Sequence, residues 1–347
     1  MECVNDEDYP WLDWTNSLDN RWRGYLPLHF GIGIMDVDAI TNLVSRGADV
    51  NEPSTIGNTA LHISVKRDCA SSITKFLIAN NGNIESKNKY GLTPLHEAVR
   101  YFSLPNTRIL LRHNANVKVE DEMGQTALDW AVHNLRRETL EEAPHLLVIA
   151  RKIIEELLDW GTPHCPQLLL RAYPWYDSYT VEHAVTILSK HSLKRKCARL
   201  PYHSELLIGE RDLQRYKSKC LNELTRLKSV RVNSHSLYCI FSTCCTVYHV
   251  EDVKKIVWSS NILVDFPIYG SLLQATFTKN EKREELLSYG EQILSDLFLK
   301  IELYMPIIVV GKILDCIDNE DLPATVTSLC KIMNTPLPNL KYNTYTV

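Results

Sequence analysis

The sequence predicts an all-α protein, a solenoid of short helical pairs through its first half followed by a small helical domain. Three observations predict it. The hexapeptides "GYLPLH", "GNTALH", "GLTPLH" and "GQTALD" begin at Gly24, Gly57, Gly91 and Gly124, at steps of 33, 34 and 33 residues, a period typical of stacked two-helix units. A second landmark, "LVSRGADVN", "LIANNGNIE" and "LLRHNANVK", ends at Asn51, Glu85 and Lys118, where a second helix would turn. Farther on, Leu213, Tyr216, Cys220, Leu224 and Leu227 recur at steps of three and four, the pattern of an amphipathic helix with a basic outer face.

The 347 residues, 45% apolar and 23% charged, suffice for two domains of ordinary size. A net charge of −4 argues against general affinity for nucleic acid or anionic membranes. The charge is uneven. An acidic N-terminal segment, residues 1–22, has six acids and no Lys or Arg in its first 20 residues, whereas residues 190–231 hold twelve Lys and Arg against four acids. The basic stretch reads as a solvated helical face, with a phosphate- or partner-binding patch as the alternative. Ten scattered cysteines without a CxxC form neither a disulfide framework nor a zinc ribbon, and Cys244 and Cys245 read as small buried hydrophobes. The N-terminus has no apolar signal region, and no apolar run approaches the ~20 residues that span a bilayer. The expected setting is a reducing intracellular one, cytoplasm or nucleus, or the host cytoplasm if the source is a virus.

In "GLTPLHEA", Gly91 permits a turn, Thr93 is placed to cap a helix, Pro94 suits its first turn, and Leu95 and Ala98 share one face. The tetrapeptide at this period resembles the hallmark of the ankyrin repeat, Thr-Pro-Leu-His. The resemblance implies four repeats over residues 23–166, each two helices with a projecting β-turn finger, stacked because no single repeat buries its apolar face. It also implies that His29, His62 and His96 lock the turns and are neither metal ligands nor bases. Repeat one departs at Leu26 and repeat four at Asp129. Repeat four also carries about fourteen extra residues within "RRETLEEAPHLLVIARK", which the sequence leaves open as a cap or as a decoration of a binding face.

Residues 167–209 read as a helical linker or degenerate repeat, with Val181, Ala184, Val185 and Leu188 at helical spacing. Then three blocks follow in order: Cys220, Glu223, Leu224, Leu227 and Lys228; "FPIY" at Phe266–Tyr269; and Arg283, Leu286 and Leu287. Together with the closing stretch "MPIIVVGKILDCIDNEDL" at 305–322 they resemble the PRANC domain, found behind ankyrin repeats in poxviruses, some intracellular bacteria and parasitoid wasps. The resemblance spans residues 210–333 and leaves 334–347 as a tail. The closing stretch is similar to the start of an F-box. Met305 stands for Leu, Pro306 is kept, Val309 takes the aliphatic place, Ile313, Leu314, Asp321 and Leu322 match, and Ile317 stands for Leu, whereas Ile308 replaces the usual Glu. The resemblance implies docking of a Skp-type linker of a cullin ubiquitin ligase through these eight matched positions. The bland alternative is a stripe that seals the helical domain.

No phosphate loop, HExxH, GxSxG or kinase signature occurs, and Cys245 or Cys330 with His249 is a chance pairing. The expectation is a non-enzymatic adaptor with no cofactor and no metal, binding neither nucleic acid nor membrane. Its repeats would hold a target protein through Glu52, Thr55, Lys87, Asn88, Tyr90, Glu120, Asp121 and Met123 at the fingers, and its C-terminus would recruit the ligase. Two alternatives stand beside it: a sequestering binding module, and a SOCS-box adaptor suggested by "SLCKI" and "PLPNLKY" in the tail.

Overall fold

The three predicted fingers, the cap at Thr93 and the steps from Gly57 to Gly91 and Gly124 have counterparts in the computed structural model, which describes residues 27–135, 145–161, 178–200, 210–232, 235–241, 251–259 and 261–300, with Leu322, Thr325, Val326, Ser328 and Leu329 beyond them. The chain divides into two compact units, residues 1–218 and 219–347.

In the first unit four helical pairs follow one another: α1 (Pro27–Gly33) with α2 (Val37–Ser45), α3 (Ala60–Ser64) with α4 (Ser71–Ala79), α5 (Pro94–Arg100) with α6 (Leu104–Arg112), and α7 (Ala127–His133) with α8 (His145–Trp160). The first helices stack on one another from α1 to α7, and α4, α6 and α8 stack behind them. Leu61, Leu77, Leu95, Leu110, Leu111, Ile153 and Ile154 are fully buried along this stack.

Local chemistry explains where each helix begins. Thr59 and His62 form a reciprocal capping box on α3, and Thr93 and His96 repeat it on α5. The His62 Nδ1 accepts the Thr59 backbone N–H at 3.2 Å, so its Nε2 carries the proton and donates to the Leu92 carbonyl of the next repeat at 3.0 Å. At α7 Asp129 takes the place of His. Its Oδ2 accepts from the Thr126 backbone N–H (2.8 Å) and hydroxyl (2.7 Å), which preserves the cap. The second helices end alike: Gly47, Asn81 and Asn114 all adopt positive φ at the same repeat position, glycine and asparagine being the residues that tolerate it.

Burial holds the imidazoles of His29 and His62 down at about 4, and lowers that of His96. These groups are neutral in the folded state at pH 7, whereas in the unfolded chain they titrate near 6.5. Because the folded values are depressed, the unfolded chain binds more protons once the pH falls below ~6.5. The repeats should therefore lose on the order of a few kcal/mol as pH falls from ~6.5 to ~4, with this contribution levelling off below that. Urea midpoints measured across this range test the claim, with His62→Gln expected to be weaker at pH 7 but shallower in its decline. An equal slope in both proteins would contradict it.

Two features of the first unit add to the sequence reading. Residues 145–152, read as inserted, are the first half of α8, which has 16 residues against nine in α6; Leu146 and Ala150 are buried like the residues that follow them. Residues 178–197 form one 20-residue helix, α9, packed against α7 and α8. It buries Ala184, Ile187 and Leu188 together with Lys194, whose Nζ lies 2.6 Å from Asp159 of α8.

Helix α10 (Glu210–Ser229) contains the division between the units. In the second unit its Cys220, Leu224 and Leu227 are buried. A two-residue antiparallel pair, β1 (Arg231–Val232) and β2 (His235–Ser236), leads into a 3-10 turn at Leu237–Phe241. That turn, α11 (Glu251–Val257) and α12 (Ile262–Asp265) pack along α13 (Gly270–Lys300). Tyr269 and Phe277 are fully buried there. Buried amides tie the layers, Gln274 donating to the Val257 carbonyl (2.9 Å) and Asn280 to that of Ile240 (3.3 Å).

Candidate target-binding face

The fingers share one construction. Ser54, Asn88 and Asp121 occupy the same repeat position, and each backbone N–H bonds the carbonyl four residues on, at Asn58, Leu92 and Gln125. Gly57, Gly91 and Gly124 close the turns at φ of 80°, 73° and 72°. Neighbouring fingers are bonded to one another: Lys89 N–H donates to the Ile56 carbonyl (3.1 Å) and Glu122 N–H to that of Tyr90 (3.2 Å). A Cβ on Gly91 would stand 2.7 Å from the Glu122 nitrogen, so glycine is required there by both φ and space.

This construction sorts the eight predicted finger residues. Glu52, Thr55, Lys87, Tyr90, Glu120 and Met123 are exposed, with Tyr90 and Met123 at 59% and 76% the most open apolar groups of the fingers. Lys87 Nζ donates to the Glu120 carbonyl of the next finger at 2.9 Å. Asn88 and Asp121 are buried and require a correction. The Asn88 Oδ1 accepts the N–H groups of Tyr90 and Leu92, and its Nδ2 donates to Asn58. The Asp121 Oδ1 accepts from Met123 and Gln125, and its Oδ2 from the Trp130 indole at 2.9 Å. Their polar atoms hold the finger from within and leave little face for a target. The sequence reading missed the exposed tip residues Lys89 and Glu122, although Lys89 lies one repeat before Glu122 and the 33-residue step would have found both.

The first helices add a row that the sequence reading also missed. Lys66, Arg100 and His133 share one repeat position, with two rings between them. Lys66 Nζ lies 5.0 Å from the Tyr101 ring, the Arg100 guanidinium 5.8 Å from Tyr101 and 5.5 Å from Trp130, and the His133 ring 5.9 Å from Trp130. Buried Glu97 lies 3.7 Å from Lys66 and 3.4 Å from the Asn88 amide. Burial, with Glu97 close by, pushes the Tyr101 hydroxyl up to about 12.

Residues 28–121 and 61–142 match the family model for ankyrin repeats in three copies. Residues 28–142 are ankyrin repeats. The chain is also similar to the ankyrin repeat protein FPV031 of fowlpox virus, 25% identical over 268 residues, 74% of this chain and 67% of that one. An alignment of that length exceeds the 218 residues of the first unit, so the likeness extends into the second. Inversin of Gallus gallus is 35% identical over 106 residues, 30% of this chain and 10% of that protein. Human neurogenic locus notch homolog protein 1 is 31% identical over 129 residues, 37% of this chain and 5% of that protein.

In the second unit the blocks quoted from sequence meet in space. Glu223 accepts the backbone N–H groups of Ile268 (3.0 Å) and Tyr269 (2.7 Å), which fastens the "FPIY" block to α10. The Arg226 guanidinium lies 5.2 Å from the Phe266 ring, and Lys228 Nζ 4.7 Å from that of Tyr238. Leu286 and Leu287 form a buried cluster with Ile293, Leu322 and Val326. Of the proposed ligase-docking positions, Met305, Pro306, Val309, Ile313, Leu314, Ile317 and Asp321 lie outside the described residues. Leu322 is a second correction: at 1% exposure it packs into its own unit, because α13 presents an apolar face there that would otherwise meet water. Among the described residues no group of acids, His and Cys is arranged to hold a metal, and no helix is long and apolar enough to cross a membrane.

Proposed function

We propose that this protein is a non-enzymatic adaptor that holds a target protein on the finger and first-helix side of its ankyrin repeats and brings it to a Skp-type linker and cullin ubiquitin ligase through its C-terminal unit. Ankyrin repeats are a protein-interaction fold, and the observation that carries the target half is the pair of open apolar anchors, Tyr90 and Met123, on hydrogen-bonded neighbouring fingers. A rigid scaffold that presents an aromatic and a Met outward is what a binding hot spot requires. The ligase half is supported by the F-box-like spacing from Met305 to Asp321 and by the likeness to a poxvirus ankyrin protein that extends beyond the repeats.

The test separates the halves. Tyr90→Ser with Met123→Ser should abolish target recovery in proximity labelling and spare the cullin, whereas Ile313→Asp should do the reverse. A charge in an apolar docking stripe loses both contact and desolvation. Titration with purified linker decides the ligase half, and no binding at tens of micromolar (roughly −6 kcal/mol) ends it. The second reading, a sequestering module, is favoured by one observation: Leu322, at the end of the F-box-like stretch, belongs to the buried cluster on α13.

A further inference from the structure

We propose that the first-helix face of repeats two to four takes a segment of the target that carries Asp or Glu, and that the Arg100 guanidinium receives its carboxylate. The inference rests on the reading of the repeats as a target-binding surface and specifies the chemistry of that target. Arg100 is half-buried and held by two rings, Tyr101 and Trp130. Ring contact engages the face of a guanidinium and leaves its N–H edge for an acceptor. Of the nearby carboxylates, Glu97 is buried with Lys66 at 3.7 Å and the Asn88 amide at 3.4 Å, and Asp121 is bonded by the Trp130 indole and two backbone N–H groups.

The Trp130 indole, fixed through its bond to Asp121, fixes in turn one ring under Arg100. The donor is thus pre-placed and loses little freedom when an acid arrives. Lys66, enclosed one repeat earlier and paired with Glu97, and His133 one repeat later flank the site, so a strand of target chain crossing these repeats meets Arg100 between the Tyr101 and Trp130 rings. A carboxylate suits the planar Arg fork, which binds it bidentately.

The experiment uses the full chain to select from a phage-displayed library of random 12-residue peptides, then measures the selected peptides by fluorescence anisotropy. Asp and Glu should be enriched, the affinity should fall with added salt, and Arg100→Gln should weaken binding roughly 10- to 100-fold, the range for a charge-assisted hydrogen bond. Arg100→Lys should recover only part of it. Circular dichroism and an unchanged Tm establish that each variant is folded. Selected peptides without acids, or acidic peptides that bind Arg100→Gln as well as wild type, would overturn the inference. The broader reading survives that result if Tyr90→Ser with Met123→Ser still removes the peptides. Selection of no peptide at all would overturn both.

Discussion

Replacing Asp159 by Ala is expected to lower the stability of the repeat unit by about 3–5 kcal/mol, the cost of breaking a buried ion pair from one side. Asp159 is 2% exposed and Lys194 is 5% exposed. The ammonium lies 2.7 and 2.6 Å from the two carboxylate oxygens, and His191 Nε2 lies 3.2 Å from Oδ1. Burial alone would raise the Asp159 carboxyl, but Lys194 and His191 outweigh it and hold it below the ordinary range. Burial keeps His191 below its usual value despite Asp159. Removing the carboxylate takes the nearest counter-charge from the buried Lys194, whereas removing both charges leaves no such imbalance. Urea denaturation of Asp159→Ala, Lys194→Met and Asp159→Leu with Lys194→Met gives the answer. The double variant should be more stable than either single one. A double variant at the sum of the two losses would mean that the pair does not act as a unit.

Glu223→Ala is expected to cost the second unit about 2–4 kcal/mol, since two backbone N–H groups lose a charged acceptor and each charge-assisted bond is worth about 1.5–3 kcal/mol. The N–H groups of Ile268 and Tyr269 stand just before α13, where the helix dipole also favours a carboxylate. Glu223→Gln keeps an oxygen acceptor without the charge and should fall between. Hydrogen exchange reads the effect locally: the amides of Ile268 and Tyr269 should lose protection first, followed by the start of α13. Unchanged exchange at those two amides would remove Glu223 as the fastening between α10 and the "FPIY" block.

The ankyrin architecture was legible because its signals are local and periodic. Thr59 with His62, and Thr93 with His96, are three residues apart, a spacing at which a helix start brings side chain and backbone together whatever surrounds them. The turn glycines recur at the same step. Even Asp129, a departure from the pattern, caps as His does, since the cap needs only an acceptor at that spacing.

Burial is not local, and there the sequence and the structure part. Asn88 and Asp121 sit among polar finger residues, and nothing in their neighbours distinguishes them from Lys87 or Glu120; only the returning chain, which brings Leu92 and Gln125 back over them, turns them inward. Residues 145–152 looked inserted because they break the period, yet α8 extends back through them because its apolar face has a partner to cover it. Asp159 and Lys194 lie 35 residues apart and Glu223 and Tyr269 lie 46 apart, separations that carry no period to announce them. The sequence by itself determined that the first half is a stack of helical pairs, where their fingers recur and which residues cap their first helices. Tertiary structure decided which polar groups are enclosed, which cation rests on which ring and that Leu322 faces inward, because the free energy of a charge or an apolar group depends on what the rest of the chain packs around it.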